Sequence, residues 1–272
     1  MAQLLGVIHP TATIHSAAQV DATGQVGPYA VIDAAVVVGP RCVVGPYVYL
    51  TGHTSIGAEN TFHAGCVIGD APQDLRYKGA PTRLRIGDRN VFREHTTVNR
   101  SNKLDEDTVI GSGCFLMTHA HVAHNCQLGD GVIMANDATL GGHVTVGNGA
   151  FLSGNCLVHQ FTRVGSLALM QGGSAISQDL PPFCVARGDN GLCGLNTIGL
   201  RRAGISTAER LELKQLYRFL FREGRNLRAA LAAARAQFTG AAATAMLDFI
   251  AASKRGVLAD AGARGGGVPA KE

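Results

Sequence analysis

Five histidines fall within 41 residues of a 272-residue chain: His119, His121, His124, His143 and His159. Imidazole ordinarily titrates near pH ~6.5, so it can take and return a proton under neutral conditions. Such a cluster points first to general-base chemistry, in which a histidine removes the proton of an attacking hydroxyl. A backbone amide unobstructed by a side chain can stabilise the oxyanion that forms on an acyl carbonyl. His124 and Gly142 could divide these two roles. Two other readings stand beside this one. A histidine at a chain corner can simply face solvent, and imidazoles gathered from neighbouring segments or subunits can ligate zinc. No three of the five have a distinctive ligand spacing.

What must position these side chains is legible as a period of six. Of the 29 positions reached in steps of six from Ile8 to Ile176, all but Asp74 and Ala80 carry Ile, Val, Leu, Met or Phe. Glycine often follows, as in Val26-Gly27, Ile110-Gly111 and Val164-Gly165. A helix would need a 3.6-residue period and a half-buried strand a period of two. A hexapeptide repeat means a solenoid of short parallel strands, three hexads to a coil of about 18 residues. Neighbouring coils pair at ~4.8 Å, so about ten would make a prism ~45 Å long. The sharp corners account for 35 glycines. Because residue n lies beneath n+18, His124 is expected under Gly142, and Asn125 under His143.

The period fails at APQDLRYKGAPTR, residues 71–83, and a second charged stretch, NRSNKLDED, occupies 99–107. Both are expected to be loops leaving the prism, and long loops on a rigid scaffold usually carry function. Pro181-Pro182 is expected to end the repeat, since proline lacks a ladder donor. The prism is therefore placed at 1–186 and a helical domain at 187–258. One helix starts at a Ser206-x-x-Glu209 capping box and runs to about Glu223, and two more fit 226–237 and 241–254. The tail 259–272 is expected to be disordered.

Seven cysteines without a CxxC pair disfavour a disulfide framework or a zinc site. No apolar run is long enough to span a membrane and no basic leader opens the sequence, so a cytoplasmic protein is expected. Residues 1–186 hold ten Lys/Arg against 13 Asp/Glu, whereas 187–272 hold 14 against seven. That basic excess is either a solvated helical face or a surface for an acidic macromolecule; no nucleic-acid partner is expected.

The segments QDLRYKGAPT, THAHVAHNC, ATLGGHVTV, LVHQF, GSAISQDLPPF and NTIGLRRAGIS resemble those of the UDP-N-acetylglucosamine O-acyltransferase family, which opens lipid A biosynthesis. The resemblance runs from about Val7 to Val257. It implies a mainly β fold, a left-handed parallel β-helix followed by a small α-helical domain, assembled as a homotrimer with active sites between subunits. It implies transfer of a 3-hydroxyacyl group from acyl carrier protein to UDP-N-acetylglucosamine, with no metal or other cofactor. His124 would be the general base and Gly142 the oxyanion donor. Gln73, Asp74, Arg76, Asn99, His121, His143, His159, Gln160, Asn196 and Arg202 would bind or line the sugar-nucleotide cleft. Gly172 would limit acyl length. Members of the family carry aspartate where this chain has Asn125, so a weaker base is expected, or a substitute carboxylate such as Asp137. They also commonly read His-Arg-Gly-Thr where this chain has Asn99-Arg100-Ser101-Asn102. That leaves open a 3-amino rather than a 3-hydroxyl acceptor. A γ-carbonic-anhydrase-like metalloenzyme and a non-enzymatic scaffold built on the same solenoid are the remaining alternatives.

Overall fold

The hexad side chains form buried files down the axis of a parallel β-helix. In the computed structural model, which describes residues 7–224 and 226–260, Ile32, Val38, Val44, Leu50 and Ile56 are all 4% exposed or less. Two residues before each hexad position lies a second, smaller inward residue. Cys42, Cys66, Cys114, Cys126 and Cys156 occupy it, buried and free. Burial in this apolar interior pushes the Cys66 and Cys126 thiols up to about 12, so they pack as small hydrophobes and do not ionise.

Each coil crosses three flat sides in turn. The first sheet has nine strands, from Thr13–Ile14 to Ala175–Ile176. The second has eight, from Gln19–Val20 to Arg163–Val164. The third begins at Gln25–Val26 and has eleven. Pairing is offset by 18 residues where the coil is uninterrupted, as in Phe115↔Ile133. The offset widens to 30 at Val67↔Thr97 and to 24 at Thr97↔His121. The two loops thus add two hexads and one hexad. The phase survives in the sequence even though Asp74, Ala80 and Leu104 lie outside the prism; Leu104 is 58% exposed. Both loops, 71–82 and 100–107, leave from the corner between the first and second sheets.

The third sheet continues past the prolines. Cys184–Arg187 pairs in parallel with Leu169–Met170, and Gly191–Leu195 then turns back antiparallel over it. Proline does not end the ladder here because Pro182 sits at a corner, directly above Gly165, where no strand donor is needed.

Among the described residues four helices follow: α1 (Thr197–Arg202), α2 (Thr207–Phe221), α3 (Leu227–Gln237) and α4 (Ala241–Ala251). The Ser206–Glu209 box caps α2 reciprocally. Neither α1 nor the hairpin before it shows in the hexad or helical periodicity. The helices are tied to the prism by Asp179, 1% exposed, which accepts from the Arg163 guanidinium at 2.7 Å and from Ser253 Oγ at 2.7 Å. Residues 259 and 260, read from sequence as part of a disordered tail, form a short strand beside Gly191–Leu195. The rest of that tail lies outside the described residues.

Candidate active site

Register alone stacks three files of residues at the corner between the first and second sheets. His124, Gly142 and Gln160 form one; Asn125, His143 and Phe161 form the next; Ala123, Gly141 and His159 flank them. Asn125, His143 and Phe161 each turn the corner at positive φ, 59°, 61° and 63°, a conformation that Asn and His tolerate better than most residues. Gly142 does not have positive φ. Its requirement is for space, because a Cβ there would fall 2.6 Å from His124 Cε1 and 2.8 Å from Nε2. The imidazole therefore lies directly against the glycine backbone. Phe161 N donates to the Gly142 carbonyl, and His143 N to that of His124. The Gly142 N–H donates to nothing among the described residues.

The His124 ring is oriented by its neighbour. Its Nδ1 is 2.8 Å from Asn125 Oδ1. The Asn125 amide is itself oriented by its other partners: Nδ2 donates to Ser101 Oγ at 2.7 Å and to Glu106 Oε2 at 2.9 Å, and Oδ1 accepts from Asn102 N at 3.0 Å. A carboxylate can only accept, so Nδ2 must face Glu106 and Oδ1 must face the imidazole. In the neutral imidazole this arrangement favours the proton on His124 Nδ1 and the lone pair on Nε2. Asn125 is 4% exposed, and its own N–H is satisfied by Thr108 Oγ1.

The loops close over this corner as one network. Asp74 accepts from Arg76 N and from Asn102 Nδ2, the latter at 2.8 Å, so Asn102 bridges the first loop to Asn125. Contact with Arg76, and then with Asn102, holds the Asp74 carboxyl far below the usual carboxylate range. Asn99, 5% exposed, donates to the Ala71 carbonyl and anchors the base of the same loop. Arg76 itself reaches outward, its side chain 87% exposed.

A groove of about 790 Å³ runs from this corner across the outer face of the first sheet. Gln73, His121, His124, Gly142, His159 and Gln160 line it, with Leu157 half-exposed on its floor. His121 Nδ1 lies 2.7 Å from Thr97 Oγ1. His143 sits behind His124, stacked on Phe161 with centroids 4.6 Å apart and edge-on to His124 at 5.2 Å. Burial, and then the neighbouring His124, lowers the pKa of both His121 and His143. Both are therefore neutral at pH 7. His159 meets the Gln160 carbonyl and Arg255 at the far rim.

Four of the clustered histidines thus belong to one surface and His119 does not. It lies at the corner between the third and first sheets, 3.4 Å from Asp137. Asp137 is consequently not the substitute carboxylate beside His124; Glu106, in the loop, is the one that reaches the network. Glu106 was not singled out from sequence, where it is one polar residue in a charged loop without periodic position, and Ser101 and Asn102 were noted only as departures from the family's usual residues. Gly172, Asn196 and Arg202 are not brought to the groove. Gly172 is at the far corner, where a Cβ would meet only the Gly154 carbonyl at 3.5 Å. Asn196 caps α1 through Oδ1 and donates to Leu167 O. Arg202 is exposed at the end of α1. Among the described residues, no three His, Cys, Asp or Glu side chains converge to hold a metal ion, and no helix is long and apolar enough to cross a membrane.

Residues 179–258 match the family model described as "Udp N-acetylglucosamine O-acyltransferase; Domain 2", and 107–142 match that of the bacterial transferase hexapeptide (six repeats). An acyl-(acyl-carrier-protein)–UDP-N-acetylglucosamine O-acyltransferase of Anaeromyxobacter sp. is 45% identical over 85% of this chain and 90% of its own length. One from Syntrophobacter fumaroxidans is 43% identical over 92% and 99%. Among solved structures, the UDP-N-acetylglucosamine acyltransferase of Campylobacter jejuni superposes with a TM-score of 0.87 at 33% identity, covering 93% of this chain and 99% of the other. That of Francisella novicida gives 0.89 at 30% identity, covering 94% and 95%.

Proposed function

The chain belongs to the UDP-N-acetylglucosamine O-acyltransferase family, and from that premise we propose that it transfers a 3-hydroxyacyl group from acyl carrier protein to the 3-hydroxyl of UDP-N-acetylglucosamine, the first step of lipid A biosynthesis. The observation that carries this reading is the setting of His124: its Nδ1 lies 2.8 Å from Asn125 Oδ1, and its ring packs so closely on Gly142 that a Cβ there would fall 2.8 Å from Nε2. In this reaction Nε2 takes the hydroxyl proton as the oxygen attacks the thioester carbonyl. The oxyanion is held by the Gly142 N–H. When the C–S bond breaks, the proton passes from the imidazolium to the departing thiolate, leaving an ester and the carrier thiol. Gln73, Asp74, Arg76, His121, His143, His159 and Gln160 would orient the sugar nucleotide around the same corner.

We infer that the working unit is a homotrimer. Its support is the split among the expected site residues: Gly172, Asn196 and Arg202 face away from His124 in a single chain, and only a neighbouring copy could bring them to a shared cleft. Leu75, fully exposed at the tip of the first loop, suits burial against such a neighbour. A second groove, about 610 Å³, lies on the helical domain, where the apolar Ile198 and Leu211 are rimmed by Arg201, Arg210, Lys214 and Arg222. Such a surface suits an acidic carrier protein. Charge reversal at Arg201 and Lys214 should raise KM for the acyl carrier most at low salt, with the difference from the native enzyme shrinking as salt screens it, and leave that of the sugar unchanged.

The test is to incubate the protein with 3-hydroxyacyl carrier protein and either UDP-N-acetylglucosamine or its 3-amino analogue, with products identified by mass spectrometry. An O-acyl product supports the reading. An N-acyl product alone would move the chain to the amino-sugar branch. No acylated sugar from either acceptor would overturn the assignment.

A further inference from the structure

His124 has no carboxylate beside it, yet one lies a single side chain away. Asn125 receives the Nδ1–H of His124 on Oδ1 and passes its own Nδ2–H to Glu106 Oε2, with heavy-atom distances of 2.8 and 2.9 Å. We propose that Glu106 is a positioning residue that acts on His124 through Asn125, supplying at second hand the negative charge that the asparagine lacks. The proposal rests on His124 being the base.

The charge is relayed by the amide. A carboxylate accepting from Nδ2–H draws the amide toward its charge-separated resonance form, which places more negative charge on Oδ1 and strengthens its bond to Nδ1–H. The effect grows as His124 becomes an imidazolium, which is when the transition state needs it. The amide cannot flip to escape, because Oδ1 is pinned by Asn102 N and Nδ2 also donates to Ser101 Oγ. Glu106 is held ionised chiefly by Lys103, whose Nζ is 2.6 Å from Oε1. The other charged or titratable groups facing this chain are His143 from the next coil, with Nδ1 3.6 Å from Glu106 Oε2, His121 from the first sheet, Asp105 beside Glu106, and the Asp74–Arg76 pair of the other loop. None of these hydrogen-bonds to Asn125, so among the described residues Glu106 is the one carboxylate in line with the base. The competing role for Glu106 is that of a loop staple, joining residues 100–107 to the corner without influencing the proton.

A charge swap separates these roles. Glu106→Gln keeps an oxygen to accept from Asn125 but removes the charge. It should lower kcat roughly tenfold, leave KM for the sugar nucleotide nearly unchanged, and move the acid limb of the kcat/KM profile to lower pH. Asn125→Asp alone sets two carboxylates against each other and should also lose activity. The double variant places one carboxylate directly beside His124, with the amide introduced by Glu106→Gln free to donate to it. It should regain kcat and move the acid limb above that of the native enzyme. A native kcat and unshifted profile in Glu106→Gln, in an enzyme that His124→Ala inactivates, would overturn the inference and leave the base assignment intact. So would loss in Glu106→Gln that the second substitution does not restore, which is the signature of a staple. If His124→Ala is also fully active, it is the base assignment that fails.

Discussion

At the corner between the third and first sheets, His119 and Asp137 approach to 3.4 Å with side chains 57% and 52% exposed. At the corner between the first and second sheets, His124 meets a buried side-chain amide held by three other groups, from Ser101, Asn102 and Glu106, while Thr108 accepts from the backbone N–H of the same residue. The same repeat delivers a histidine to each place, and one of them even brings a carboxylate. What differs is the loops. Both insertions leave the prism at the second corner, exclude water from Asn125 and fix its orientation. On the proposed reading, chemistry at this corner would come from the side chains that constrain an imidazole more than from its presence.

The largest expected effect breaks that contrast directly. His124→Ala should lower kcat by about 10² to 10⁴, the range that positioned base catalysis supplies, while His119→Ala changes it by less than about twofold, given how little exposed pairs contribute. Steady-state acyl-transfer rates on the two variants check this. Comparable losses would mean that the corners are not functionally distinct.

Glycines sharpen the comparison next. Gly142→Ala puts a methyl group within 2.8 Å of two His124 ring atoms, so the ring must move, and misplacing a reacting group by about 1 Å can cost ~10²-fold. Gly154→Ala, on the far corner, meets one carbonyl oxygen at 3.5 Å and should be nearly silent. The measurement is kcat together with thermal midpoint. Gly142→Ala should lose rate with little loss of stability, because the ring it displaces is the free end of a side chain.

How much of this was legible in the sequence follows from what the repeat controls. The period of six gives the inward files, and its triple gives the contact of Gly142 with His124, since register is a matter of counting. It could not give Glu106, because that residue belongs to one of the hexads that left the prism, where counting has no meaning. Nor could it separate His119 from His124: five residues apart in sequence, they fall on opposite ends of one side of the triangle. Asp137 is different: the count of 18 that puts Gly142 over His124 also puts Asp137 over His119, so its place was legible in the sequence. The hairpin and α1 were missed because strand and helix are short there and are fixed by capping contacts such as that of Asn196.

A smaller effect concerns pH. His121 and His143 have folded-state pKa values lowered by burial and by His124, so the unfolded chain binds protons more readily than the native one. Their contribution to stability is fully present above about pH 6.5. It is lost as the pH falls from there through their native values. His143→Phe keeps an aromatic ring on Phe161 and removes one titrating group, so the decline in Tm on acidification below pH ~6.5 should become shallower. An unchanged slope would mean that His143 does not titrate differently on folding.

The smallest effect belongs to the far corner. Asp137→Asn removes the charge facing His119 but leaves an oxygen in the same place. Because both side chains are more than half exposed, solvent already screens the pair, and exposed ion pairs are worth only ~0 to 1 kcal/mol. Denaturant unfolding of the variant should shift by less than about 0.5 kcal/mol, and turnover should not change. Asp137 turns its corner at φ 60°, a conformation that asparagine accepts as readily, so the substitution adds no backbone strain to obscure the result. A substantial loss of turnover in this variant would mean that Asp137 meets a group the single chain does not contain, and would place that corner at the subunit contact of the proposed trimer.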